Sequence, residues 1–178
     1  MRSIKFINSN VLKVLAMVLM LLDHLWATIV PGNQWMTIVG RMAFPIFAFL
    51  IVEGFIHTSD YKKYLKRLFI FALISEIPFN LIYTGSWIFP FHQNVLFTLI
   101  LGLLCINEID KFKNDKKVKS RIKNVLKILL FLLVGLIGFV DYGLTGVLTI
   151  IVFYLFRNFK CAWICQCISL ILLYIIFF

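Results

Sequence analysis

The chain has 178 residues, of which 62% are hydrophobic, 16% aromatic and 15% charged, with a formal net charge of +10 and a mean hydropathy of +0.97. A soluble domain is about 45–50% apolar, and an excess this large cannot be hidden in the core of so short a chain. The composition therefore excludes an ordinary soluble globular domain and points to an integral membrane protein. Nor is the charge a nucleic-acid signal, since Lys and Arg mark the cytoplasmic loops of membrane proteins.

A transmembrane helix needs about 20 apolar residues, fewer where the bilayer thins. About seven candidate spans follow in order: Val11–Val30, Trp35–His57, Tyr64–Thr84, Gln93–Ile106, Val125–Val140, Tyr142–Phe156 and Ala162–Phe178. They predict an all-α, polytopic transmembrane helix bundle, a single integral membrane domain over residues 1–178, with a basic cytoplasmic loop at 107–124. The first span carries Asp23-His24, lacks a small-residue cleavage pattern and is followed at once by another span, so it is not read as a cleaved signal.

Charge placement orients the bundle. Arg2, Lys5 and Lys13 precede the first span, and Lys62, Lys63, Lys66 and Arg67 sit between the second and third. Lys111 to Lys127 crowd the fourth connection, while Arg157 and Lys160 lie between the sixth and seventh spans. The alternate loops, Pro31–Gln34, Gly85–His92 and the turn at Asp141, hold no Lys or Arg. The positive-inside rule then puts the N-terminus in the cytoplasm.

Ionisable residues inside spans cost about 2.5–3.5 kcal/mol each at a helix centre and read as functional by default. In the first span these are Asp23 and His24, and in the second Arg41, about 9 Å deep from the outer side at 1.5 Å per residue. An Asp23–Arg41 pair with His24 alongside would make all three tolerable. His24 is the candidate general base, because an imidazole titrates near neutrality; a histidine that merely bonds a carbonyl is the alternative. Glu53 and His57 share a helix face at the inner end of the second span. With Lys63, Lys66 and Arg67 they form either a site for a phosphorylated cytosolic ligand or a plain topogenic loop.

Glu76 lies midway along the third span, with Pro78 two residues on and Asn80 at i+4. A deep carboxylate, a proline and an amide suggest a lined cavity rather than a lipid-facing helix. Gln93 and Asn94 open the fourth span from outside, and Asp141 and Tyr142 mark the outer turn between the fifth and sixth, so an outward-opening polar pocket is expected. Cys105, Cys161, Cys165 and Cys167 have no His or carboxylate nearby to complete a zinc site, and no metal is expected.

Several motifs in order resemble the TraX family. They are Asp23-His24, the run from Gly40 through Arg41, Pro45 and Glu53 to Phe55, and the run from Arg67 through Glu76 to Asn80. The run Gln93–Gly102 and the motif Asp141–Val147 continue the likeness, which extends from Leu12 to Leu148. The resemblance implies a bacterial inner-membrane protein associated with acetylation of conjugative pilin and related to membrane acyltransferases. It implies acetyl-CoA as donor and a peptide, glycan or lipid acceptor. His24 would act as base, Arg41 would stabilise the site or the oxyanion, and Asp23 and Glu76 would complete the catalytic set. Glu53, His57, Lys63, Lys66 and Arg67 would hold the donor, and Asn80, Gln93, Asn94, Asp141 and Tyr142 would line the acceptor path. A small proton-coupled transporter or channel, or a non-enzymatic assembly factor, is the competing reading, resting on acids and bases at several membrane depths.

Overall fold

The computed structural model describes residues 8–177, apart from the side chains of Leu172 and of residues 174–177. Arg2 and Lys5, read above as inner-face charges, lie outside the described residues, as does Phe178. The described residues form eight helices and no strand: α1 (Ser9–Thr28), α2 (Gln34–Gly40), α3 (Ala43–His57), α4 (Tyr61–Thr84), α5 (Val95–Asn114), α6 (Val118–Ile137), α7 (Gly143–Phe156) and α8 (Ala162–Phe177). The chain divides into two compact units, Met1–Leu50 and Ile51–Phe178.

In the first unit, α1 starts at Asn8, whose side chain accepts from the Asn10 N–H, and packs against α2. Gly40 makes the contact close: a Cβ there would stand 2.7 Å from Cβ and 2.8 Å from the backbone N of Asp23. The expected second span is broken into α2 and α3 at Arg41–Met42. Pro45 accounts for the break, because it has no N–H and its ring clashes with the carbonyl four residues back, that of Arg41.

In the second unit α5 is the central element, packed on α4, α6 and α7, while α8 packs on α7. Leu99, Leu103, Cys105 and Ile106 of α5 are buried with Val147, Ile150 and Phe153 of α7. Gly102 permits this approach, since a Cβ on it would stand 2.9 Å from Cβ of Ile150. By contrast Phe71, Ile74 and Ile82 of α4, and Leu126, Leu129, Leu133 and Ile137 of α6, expose their apolar surface. Stripes of that kind are not tolerated on a solvated surface and mark a membrane or partner face.

Among the described residues two segments are long and apolar enough to cross a bilayer, Ser9–Thr28 and Gln34–His57, and Gly143–Phe156 and Ala162–Ile171 are shorter apolar helices. The basic connection differs from expectation. Instead of a loop from Asn107 to Lys123, α5 runs on to Asn114 and α6 starts at Val118, leaving only Asp115–Lys117 between them. Side-chain pairing explains the extra turns: buried Glu108 takes Lys111 Nζ at 2.6 Å on its own helix and Lys127 Nζ of α6 at 3.1 Å.

Candidate functional site

In the first unit the Asp23 carboxylate accepts a 2.6 Å hydrogen bond from the Thr37 hydroxyl. No ion pair joins Asp23 to Arg41, which corrects the pairing expected from sequence. Thr37 is one turn nearer along α2, and the Gly40 contact seats α2 directly against Asp23, so the hydroxyl reaches the carboxylate. Arg41 instead sits exposed at the α2–α3 turn. His24 is half-buried, and its carbonyl accepts from the Thr28 hydroxyl at 2.7 Å.

In the second unit, the end of α3 presents Glu53 and His57 on one face, as their i,i+4 spacing requires. His57 Nε2 lies 3.3 Å from Glu53 Oε2, and Arg157 Nε lies 2.7 Å from Glu53 Oε1. Arg157, read from sequence only as a topological charge, is thus the partner that neutralises Glu53. Nothing in the local pattern of either residue signals this pairing, since 104 positions separate them.

After α3 the chain turns through Thr58 and Ser59 into α4. Asp60 caps that helix by accepting from the Lys63 N–H at 3.0 Å, and its second oxygen stands 3.4 Å from Lys63 Nζ. The Lys63 backbone bond, reinforced by the Lys63 ammonium, holds the Asp60 carboxyl below its ordinary range. Gly54 lets α4 close on α3, because a Cβ there would fall 2.6 Å from the Tyr64 hydroxyl. The turn opens into a groove of about 390 Å³ lined by Thr58, Ser59, Asp60, Lys63, Lys66, Arg67 and Ile70. Lys63 is engaged by Asp60, whereas Lys66 and Arg67 form no ion pair among the described residues. The groove therefore carries two uncompensated cations beside a helix N-terminus, an arrangement suited to a phosphorylated anion.

The second unit also holds polar residues that sequence reading did not select. Glu108 is only 4% exposed. Burial acts to raise its carboxyl, but the hydrogen bonds and charges of Lys111 and Lys127 outweigh it and hold the group below its ordinary 4.5. Asp110 accepts from the Tyr154 hydroxyl at 2.7 Å, and Lys113 lies 4.7 Å from the Tyr154 ring centre. Tyr61 keeps its hydroxyl buried, and desolvation, with Glu108 nearby, pushes it up to about 12.

At the other end of α4 the structure brings Glu76 and Asn94 together. Glu76 Oε2 accepts from the Asn94 backbone N–H at 3.1 Å and from Asn94 Nδ2 at 2.7 Å. Asn94 Nδ2 also donates to the Ala72 carbonyl at 3.0 Å, and its Oδ1 caps α5 by accepting from the Leu96 N–H at 3.0 Å. A carboxylate is thereby held at the N-terminus of a 20-residue helix, where the dipole favours negative charge. Asn80 is buried one turn along α4 from Glu76.

Gln93 and Asp141 are joined through the main chain. Gln93 N donates to the Phe139 carbonyl at 2.9 Å and Asp141 N to the Gln93 carbonyl at 3.1 Å. The Asp141 carbonyl accepts from the Thr98 hydroxyl. Phe139 and Tyr142 hold φ of 54° and 60°, a left-handed conformation uncommon for bulky residues. His92 lies edge-on to Phe79 and Tyr83, with ring centres 5.2 and 6.1 Å away. Among the described residues no group of three or more His, Cys, Asp or Glu could hold a metal ion.

Comparison with known proteins agrees with this pattern of motifs. The probable fimbrial assembly protein FimC, serogroup H1, of Dichelobacter nodosus is 37% identical over 112 residues, an alignment covering 53% of this chain. This chain spans under half of that relative's length, 43%. No solved structure matches. The family model described as TraX protein matches residues 8–178, nearly the whole chain, and the chain belongs to the TraX family.

Proposed function

We propose that this protein is a multi-pass inner-membrane acyltransferase that moves an acetyl group from cytosolic acetyl-CoA to an acceptor at or across the membrane. The observation that carries the reading is the groove with Lys66 and Arg67 uncompensated and Lys63 at its rim. A phosphate carries about −1.5 to −2 charges at neutral pH, so the groove matches a phosphorylated donor in sign. Family membership supports the same activity. The fimbrial relative's name favours a surface-appendage subunit as acceptor, with a glycan or lipid as other candidates.

In this reading the chain crosses the bilayer about seven times with a cytoplasmic N-terminus, and α2 and α3 together make one kinked span. Exposed apolar side chains of α1, α4 and α6 face lipid. The donor groove, between α3 and α4, then lies on the cytoplasmic side, where acetyl-CoA is made.

The reaction is direct transfer. The acceptor amine or hydroxyl attacks the thioester carbonyl, His24 takes its proton, the C–S bond breaks, and coenzyme A leaves as its thiol once that proton is returned. Arg41 answers the oxyanion, a role worth about 10²–10³ in rate where such donors have been removed. The test is acetyl-CoA binding to the purified protein by calorimetry. Saturable binding lost in Lys66→Ala/Arg67→Ala and kept in His24→Ala is expected. Folded wild type that binds no acetyl-CoA would defeat the donor reading.

A further inference from the structure

The cations around the α5–α6 turn divide by what they face. Lys111 and Lys127 are drawn to buried Glu108. Lys113 and Arg121 stand over the Tyr154 and Phe112 rings, 4.7 and 4.2 Å from the ring centres. Lys119 and Lys123 of α6 are exposed and make no ion pair or hydrogen bond among the described residues. Asp115, the acid in the connection, is engaged by the Ser120 hydroxyl. Like charges four residues apart on a helix repel, so Lys119 and Lys123 share a demand for an anion.

The same side of α6 is apolar below them. Asn124 and Gly135 are buried against the rest of the unit. At about 100° per residue the opposite face carries Val118, Ile122, Leu126, Leu129, Leu133 and Ile137, each 50–72% exposed. From Val118 to Ile137 this stripe rises about 28 Å, close to the ~30 Å hydrocarbon core of a bilayer. With α6 crossing the bilayer as in the reading above, the stripe sets the cytoplasmic headgroups level with Val118. Lys119 stands at that level on the edge of the stripe, and Lys123 one turn below it. Helix side chains lean toward the N-terminus, here the cytoplasmic end, so the Lys123 ammonium rises to join that of Lys119.

We propose that Lys119 and Lys123 bind the phosphodiester of an anionic phospholipid in the cytoplasmic leaflet, whose acyl chains lie along the apolar stripe of α6. Charge and stripe select this occupant together. Two ammonium groups meet a phosphate oxyanion through charge-assisted hydrogen bonds, and basic residues at this level attract anionic lipid. A soluble phosphate would satisfy the lysines and leave the stripe bare. A zwitterionic lipid would cover the stripe and leave the positive charge unmatched. The site rests on α6 crossing the bilayer and is independent of acetyl transfer.

The experiment is fluorescence anisotropy of chain-labelled phosphatidylglycerol titrated with the full chain in an uncharged detergent, with chain-labelled phosphatidylcholine as the comparison. Phosphatidylglycerol should bind more tightly, by about fivefold for each lysine engaged, the equivalent of about 1 kcal/mol. Lys119→Gln/Lys123→Gln should weaken its binding by at least about fivefold. Both side chains are exposed, so the glutamines leave the packing untouched. Lys62→Gln/Lys160→Gln removes the same charge elsewhere on the cytoplasmic side and should leave binding unchanged. Equal binding of the two lipids, or equal weakening by the two double variants, would overturn the site and leave acetyl transfer standing. Displacement of the labelled lipid by inorganic phosphate at fixed ionic strength would also overturn it, assigning the lysines to a soluble anion.

Discussion

Asn94→Ala should be among the most damaging single changes to the second unit. The side chain is 4% exposed and makes three bonds: from Nδ2 to Glu76 and to the Ala72 carbonyl, and from the Leu96 N–H to Oδ1. Loss of the N-cap costs about 1 kcal/mol. Loss of a hydrogen bond to a charged group costs about 1.5–3, and the remaining bond is worth about 0.6 in a membrane setting. The total is roughly 3–5 kcal/mol, or on the order of 10 °C in Tm at this chain length. Asn94→Ser should recover about 1 kcal/mol by restoring the cap alone. Unfolding in detergent, followed by circular dichroism on wild type and both variants, measures the difference. A loss below about 1 kcal/mol, or a serine variant no better than alanine, would refute the assignment of Asn94 as the joint between α4 and α5.

Gly40→Ala should force α1 from α2, because the new methyl would meet the Asp23 backbone N at 2.8 Å and the Leu19 carbonyl at 2.9 Å. Overpacking of this kind costs about 1–3 kcal/mol, readable as a lower melting temperature. Acidification should destabilise the basic end: Glu108 titrates below its ordinary 4.5 in the folded state, so its contribution is present above that pH and lost as pH falls through the depressed value. Melting curves across that range should show the loss, and Glu108→Gln should reduce the pH dependence while lowering stability at neutral pH. Topology can be read from Cys161, exposed beside Lys160. With the other three cysteines replaced by alanine, a membrane-impermeant maleimide should modify it in inverted vesicles and not in intact cells.

Much of the fold was open to inspection in the apolar runs, and α1, α4 and α7 fall close to the expected spans. The break at Arg41 was also readable, because Pro45 stands four residues on, but a continuous apolar run hides it. The basic connection departs from its sequence pattern for a different reason. Asn107–Lys123 looks like a solvated loop until Glu108 is seen to draw in Lys111 and Lys127, and that pairing exists only once α5 and α6 lie side by side. Long-range partners leave no local mark in a sequence. Glu53 invited a nearby cation and found Arg157; Asp23 invited Arg41 and found Thr37. Glu76 and Asn94 were each legible as intramembrane polar residues, whereas their union depends on the Gly85–Gln93 connection folding the start of α5 back onto α4.

The central claim is acetyl transfer, and the direct measurement is movement of labelled acetyl from acetyl-CoA into the membrane fraction of inverted vesicles that contain the protein and its native membrane acceptors. Wild type should incorporate label above vesicles lacking the protein, His24→Ala should abolish incorporation, and Lys66→Ala/Arg67→Ala should raise KM for acetyl-CoA with little change in kcat. Wild-type vesicles holding folded protein yet transferring no label, or a His24→Ala variant as active as wild type, would contradict the account.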